Sequence, residues 1–146
     1  MVKNNINLSA YEGAPPSVVS QGRRYIGREP LYDEQKVLAL VEKGEQVLIP
    51  WTRKCNADLQ RFSMDHGDAL ELVREAVTHG KYRNSEWSEQ KPSGPWAACD
   101  AYQLRRREWV EAAHKHFFYE YYVKFAIGKT GKLLLLVSCH SSEDKG

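Results

Sequence analysis

Between Tyr119 and Cys139 apolar and polar residues alternate on either side of one turn, the period-two pattern of two paired β-strands. Lys129-Thr130-Gly131 suits a three-residue loop, a type I turn closed by a left-handed glycine. That loop sets Tyr122 opposite Ser138, Lys124 opposite Leu136, and Glu120 opposite His140. One face then carries Tyr119, Tyr121, Val123, Phe125 and Ile127 beside Leu133, Leu135, Val137 and Cys139. The other carries Glu120, Tyr122 and Lys124 beside Ser138 and His140, with Ala126, Leu134 and Leu136 nearer the turn. A two-residue turn would flip one strand and mix the two sets.

Upstream the period changes to that of helices. Asp33–Lys43 places Val37, Leu38 and Val41 on one face, with Asp33 as N-cap and Gly44 as stop. A short apolar run, Gln46–Ile49, ends at Pro50. Thr52–Phe62 is expected to be helical in part, through Cys55, Leu59 and Phe62. The strongest helical pattern is Asp68–His79, where Ala69, Leu70, Val73, Ala76 and Val77 follow the 3.6-residue repeat and Gly80 sits just beyond. Tyr82–Trp87 reads as a strand or edge segment, Lys91–Pro95 as a loop, and Trp96–Arg105 as a strand. Arg105–His116 fits either a strand or a helix. Helices first and strands afterwards predict an α+β domain over residues 29–146, with about three N-terminal helices on an antiparallel β-sheet. Residues 1–28 lack periodicity and are expected to form a loosely attached arm.

Composition narrows the function classes. A net charge of +2 excludes a global polycation, so any affinity for nucleic acid must come from a local patch. Three cysteines without a CxxC pair argue against a disulfide scaffold and fit a reducing compartment. The longest apolar run, Leu133–Val137, is far too short to span a bilayer, and no signal-peptide pattern is present. A cytoplasmic protein without a membrane partner is expected.

Several local segments, in this order, resemble the MqsR-type toxins of the RelE-like ribonuclease superfamily, over about Leu31 to His140. VLALVEKGEQV resembles that family's opening helix and turn, and Asn56-Ala57-Asp58-Leu59 its Asn-Ala-Asp stretch. Tyr82-Arg83-Asn84-Ser85 is similar to a tyrosine–lysine–x–serine segment. Trp96 followed by Asp100-Ala101-Tyr102 is similar to a tryptophan and Asp-x-Tyr. Tyr122-Val123-Lys124 and LLLLVSCH resemble the two closing strands. Two positions depart: His140 stands where the family has a lysine, and Cys99 where it has a glutamine. The segment between Tyr102 and Phe117 has no counterpart in the family. The resemblance implies a RelE-like fold and a metal-independent endoribonuclease toxin that cleaves single-stranded mRNA, held in check by a cognate antitoxin protein.

Such chemistry needs a base for the ribose 2′-hydroxyl, an acid for the leaving oxygen, and donors for the phosphorane. His140 titrates near neutrality and can act as base or acid. Glu120 would hold its tautomer or act as the partner base. Lys124 and Arg83 would neutralise the phosphate, and Tyr122 would position it or stack on a base. Arg105, Arg106 and Arg107, followed by Trp109, form a candidate RNA-contacting strip that equally suits an acidic antitoxin. Neither a metal nor another cofactor is expected. The alternatives are a non-catalytic binding or inhibitor protein on the same fold and a metal-dependent nuclease using His114, His116 and Asp100.

Overall fold

The protein, described by a computed structural model over residues 6–16 and 24–144, is a mixed α/β fold with three helices and a six-stranded sheet among those residues. In chain order the elements are β1 Tyr25–Gly27, α1 Glu34–Val41, β2 Leu48–Pro50, α2 Arg53–Arg61 and α3 His66–His79. Then follow β3 Lys81–Glu89, β4 Trp96–Val110, β5 Lys115–Ile127 and β6 Leu134–Asp144. The sheet order is β1-β3-β4-β5-β6-β2. The class is as expected, and the closing hairpin sits near the centre. The sheet is not wholly antiparallel, because β2 runs parallel to β6 along its edge, Leu48 beside Leu134 and Pro50 beside Leu136. A run of three residues ending in a proline carries too little pattern to reveal such a pairing. None of the described helices is long and apolar enough to cross a membrane.

The helices form where spacing and caps place them. In α3 the buried Ala69, Leu70, Leu72, Val73, Ala76 and Val77 enter one core with Val37, Leu40 and Val41 of α1 and with Tyr102, Leu104, Val123, Phe125 and Ile127 of the sheet. Its start is a reciprocal box, in which the Asp65 side chain accepts from the Asp68 N–H and the Asp68 side chain from the Asp65 N–H. In α1 the Asp33 side chain makes no capping bond, and its carbonyl takes the Lys36 and Val37 N–H groups instead.

The ambiguous stretch after Arg105 is strand. β4 runs to Val110, a short 3₁₀ turn covers Glu111–Ala113, and β5 returns from Lys115 with Trp109 opposite His116. The described parts of the N-terminal arm join the sheet. Leu8 donates to the Trp96 carbonyl and accepts from the Lys129 N–H, Ala10 donates to Ile127, and Tyr25–Gly27 pairs with β3.

The β5–β6 register departs from expectation twice, and the departures compensate. Gly131 is left-handed at φ 79° as expected, and its N–H closes on the Gly128 carbonyl. The loop nevertheless includes Lys132 as well, since Gly128 pairs with Leu133 through a 2.8 Å bond. Phe125 therefore meets Leu136 and Ile127 meets Leu134, so Leu134 and Leu136 take the core face assigned above to Leu133 and Leu135. A bulge at Val137 then adds a second residue to β6, restoring parity. Lys124 faces Ser138, Tyr122 faces His140, and Glu120 faces Ser142. Four consecutive leucines bury equally well in either register, so hydrophobicity alone could not place the slip.

Beside the core lies a buried polar knot. The fully buried Asp100 carboxylate accepts from the N–H groups of Leu31 (3.0 Å) and Tyr32 (3.1 Å) and from the Ser85 hydroxyl (2.6 Å). Burial raises its pKa above the usual carboxylate range, while these three donors oppose the rise. The carboxylate fastens the chain ahead of α1 to the middle of the sheet. Asp100→Ala, which strands those donors, is expected to cost about 2–4 kcal/mol. Urea unfolding should show a lower midpoint at unchanged slope; an unaltered midpoint would deny the knot its role.

Candidate functional site

Beyond the bulge, the sheet face turned away from the core holds the polar residues picked out in the sequence. Tyr122 and His140 are direct cross-strand partners, their rings stacked with centroids 5.4 Å apart and planes inclined by 23°. Lys124, one pleat along, makes an ion pair with Glu86 of β3 at 3.4 Å. Arg83 is the extra residue of a bulge in β3, and its charge opposes the upward shift that burial and Glu86 impose on the Tyr122 phenol. Tyr122, His140 and Lys124 border one groove, and Arg83 bears on them only through its charge.

Glu120 does not join them. It stands opposite Ser142 and accepts from the Gln103 side-chain amide, because β6 has advanced by two residues. The carboxylate that influences His140 is Asp58, on α2.

The sequence reading missed what α2 contributes. β2 ends at Pro50, and α2 then covers the edge of β6 that β2 leaves open. The Thr52 side chain accepts from the Cys55 N–H at 3.0 Å, capping the helix, and donates to the Val137 carbonyl at 2.6 Å. Asp58 accepts from the Cys139 N–H at 3.4 Å and from Lys54 at 3.2 Å. Lys54 then reaches over the sheet edge to within 3.3 Å of His140 Nδ1. An ammonium can only donate, so Nδ1 accepts and the ring proton of neutral His140 resides on Nε2. Burial, Lys54 and Lys124 all hold the His140 pKa below the ordinary imidazole value, with Asp58 acting the other way. The available signals were slight: a threonine at helix-cap spacing and the Asn-Ala-Asp stretch.

These residues border a groove of about 710 Å³. Its walls include Arg24, Arg53, Lys54, Lys91 and Lys124 with Tyr122 and His140, against one lining acid, Glu89, which is paired with Arg24 at 3.2 Å. Its chemistry is that of an anion site with a neutral imidazole at one wall. Neither a family model, nor a curated protein, nor a solved structure matches this chain.

The remaining candidates divide. Arg105, Arg106 and Arg107 do not form one strip, because successive strand residues point to opposite faces. Arg106 turns to the helix side, bound to Glu75 of α3 at 3.3 Å and to Glu108 at 3.6 Å, whereas Arg105 and Arg107 share the face of Tyr122. Cys99 lies fully buried opposite Glu86 on the Tyr122 side of the sheet, and burial pushes its thiol up to about 12. It is therefore not a thiolate at neutral pH. His114 and His116 lie at the far end of the β4–β5 hairpin, whereas Asp100 is buried opposite Phe125. The nine-residue separation along β5 from His116 to Phe125 is ~30 Å. These three residues cannot share a metal ion.

The placement of Lys54 has a measurable consequence. Removing its charge in Lys54→Met leaves Asp58 beside the ring, so the His140 titration midpoint should rise. Ring-proton NMR across the pH range reads this directly, and an unchanged or lower midpoint would contradict the contact.

Proposed function

We propose that this protein is a metal-independent endoribonuclease acting on single-stranded RNA, the toxin of a toxin–antitoxin pair with an MqsR-type, RelE-like fold. The observation that supports the reading most is His140 itself, an imidazole kept neutral at pH 7 and stacked on a phenol at the wall of a cationic groove. A lysine at this position would be protonated at neutral pH unless strongly shifted, whereas an imidazole needs little tuning to accept a proton.

The chemistry follows from the donors and acceptors available. An RNA phosphate entering the groove competes for Lys54 and draws its ammonium from Nδ1, freeing the imidazole lone pair. Nδ1 takes the proton of the 2′-hydroxyl, and the oxygen attacks the adjacent phosphorus. Lys124, Lys54 and Arg83 stabilise the charge that grows on the phosphorane oxygens. Tyr122, whose phenol remains protonated, supplies a proton to the departing 5′-oxygen. The products are a 2′,3′-cyclic phosphate and a 5′-hydroxyl. No step calls on a metal ion. The cell would need to silence such an activity, so the proposed partner is an acidic antitoxin and the proposed compartment the cytoplasm.

A second reading, RNA binding without cleavage on the same fold, draws on one observation: Lys54 already occupies the Nδ1 lone pair that a base must use. Substitution of the histidine separates the two. Under the ribonuclease reading, induced expression arrests growth, and purified protein cuts RNA in the presence of a chelator. His140→Ala should lower kcat/KM by about 10²–10⁴-fold and relieve the arrest with an unchanged circular dichroism spectrum. In the wild type, kcat/KM should fall as pH drops below the ordinary imidazole value, since the protonated ring has no lone pair to offer. Harmless expression together with uncut RNA would remove the ribonuclease reading and leave the binding one.

A further inference from the structure

The β4–β5 hairpin continues past Gln103, where pairing with β3 stops, and its outer half offers a face that the groove chemistry does not use. The ladder sets Arg105 opposite Glu120, Arg107 opposite Phe118, and Trp109 opposite His116, all on the side of Tyr122. Two large rings on this face stand in solvent, Trp109 at 50% and Phe118 at 42% exposure. Each has a cationic or polar neighbour. The Arg105 guanidinium lies 4.1 Å from the centre of the Phe118 ring. Arg107 approaches His116 Nδ1 at 3.3 Å, and His116 meets Trp109 edge-on at 5.2 Å. The indole N–H is held by Glu111 at 2.6 Å. Between this face and the groove, the Glu120 carboxylate is engaged by Gln103.

Half-exposed rings beside arginines add little to stability, since a cation–π contact at the surface is weak and much of the rings' apolar area stays in water. Flat rings in file, interleaved with guanidinium groups, instead match what unpaired nucleotides need: π-faces for the bases and forked donors for the phosphates. A protein interface can have a similar composition, but position favours nucleic acid. The file begins four residues from Tyr122 and ends six away, ~13 Å and ~20 Å along the strand. A strand leaving the groove on this side therefore passes directly over it.

We infer that the outer face of the β4–β5 hairpin is a stacking platform for unpaired nucleotides flanking the reactive phosphate. Phe118 and Trp109 take the bases, and Arg105 and Arg107 take the backbone. The natural substrate is then a single strand several nucleotides long, and a duplex, whose bases are already stacked, is excluded. The assignment of the bound strand to a substrate rests on the ribonuclease reading; the platform can be tested without it.

The test uses the full chain and a fluorescein-labelled, 2′-O-methyl single-stranded octanucleotide, which resists cleavage, with binding followed by anisotropy. Phe118→Ala and Trp109→Ala should each weaken binding by roughly 5- to 100-fold. Phe118→Tyr, which keeps the ring, should bind nearly as well as wild type. The same octanucleotide annealed to its complement should bind much more weakly. Octanucleotide affinity indifferent to both alanine variants would overturn the platform. So would a result in which those variants lose affinity only for an acidic polypeptide such as polyglutamate, which would assign the face to a protein partner. Ring-dependent octanucleotide binding with no cleavage of any RNA would keep the platform and dismiss the nuclease.

Discussion

One hydroxyl group organises the site. Thr52 Oγ donates to the carbonyl of Val137, the extra residue of the β6 bulge, and accepts from the first turn of α2. The bulge leaves Val137 without a partner residue in β5, and the pairing of β2 with β6 ends one residue earlier, at Pro50 and Leu136, so among the described strands none is paired with Val137. The same contact sets where α2 begins, and hence where Lys54 and Asp58 stand relative to His140. A helix cap is ordinarily worth about 1 kcal/mol, and a buried carbonyl left unpaired costs about 1–3 kcal/mol. A threonine that serves both roles links the geometry of the edge to the stability of the helix covering it.

The site is in this sense a product of edge protection. A sheet edge with open donors and acceptors invites pairing with another chain, and α2 closes it with side chains rather than with a further strand. Thr52 answers a carbonyl and Asp58 answers an N–H. Asp58 is then a buried anion requiring a cation, which Lys54 supplies from the preceding helical turn while leaning toward the imidazole. Structural and chemical roles thereby meet in one short helix. Asp100 presents the contrast, for its carboxylate is enclosed by backbone donors and the Ser85 hydroxyl on the core side, with nothing of the groove within its network.

The sequence made the elements legible wherever periodicity and caps coincided. Ala69, Leu70, Val73, Ala76 and Val77 announced α3, and the alternation around Tyr121–Phe125 announced β5 with Tyr122 and Lys124 on its outer side. Gly131 was readable as the left-handed residue of the turn. The register of β6 was not readable, because Leu133–Leu136 buries equally well in two frames and bulges have no compositional mark. His140 still fell on the side of Tyr122, since the longer loop and the bulge each shift β6 by one residue and together preserve parity. Glu120 was lost from the site for the same reason. Lys54 and Asp58 were invisible because their part depends on α2 lying along an edge that only tertiary structure creates. The triplet Arg105–Arg107 was read as one patch while its secondary structure was undecided, and the strand divides it between two faces.

The account places attack by a ribose 2′-hydroxyl at its centre, and replacing that one atom tests it most directly. A single-stranded RNA cut by the protein in chelator should be resynthesised with a 2′-deoxy nucleotide at the cleaved position, and the end groups of every fragment determined by mass spectrometry. The account predicts 2′,3′-cyclic phosphate and 5′-hydroxyl ends on the all-ribose strand and no cut at the deoxy position, with binding retained. Cleavage persisting at the deoxy nucleotide, or fragments with 5′-phosphate ends, would show that water or another nucleophile attacks the phosphate and would contradict the role given to His140.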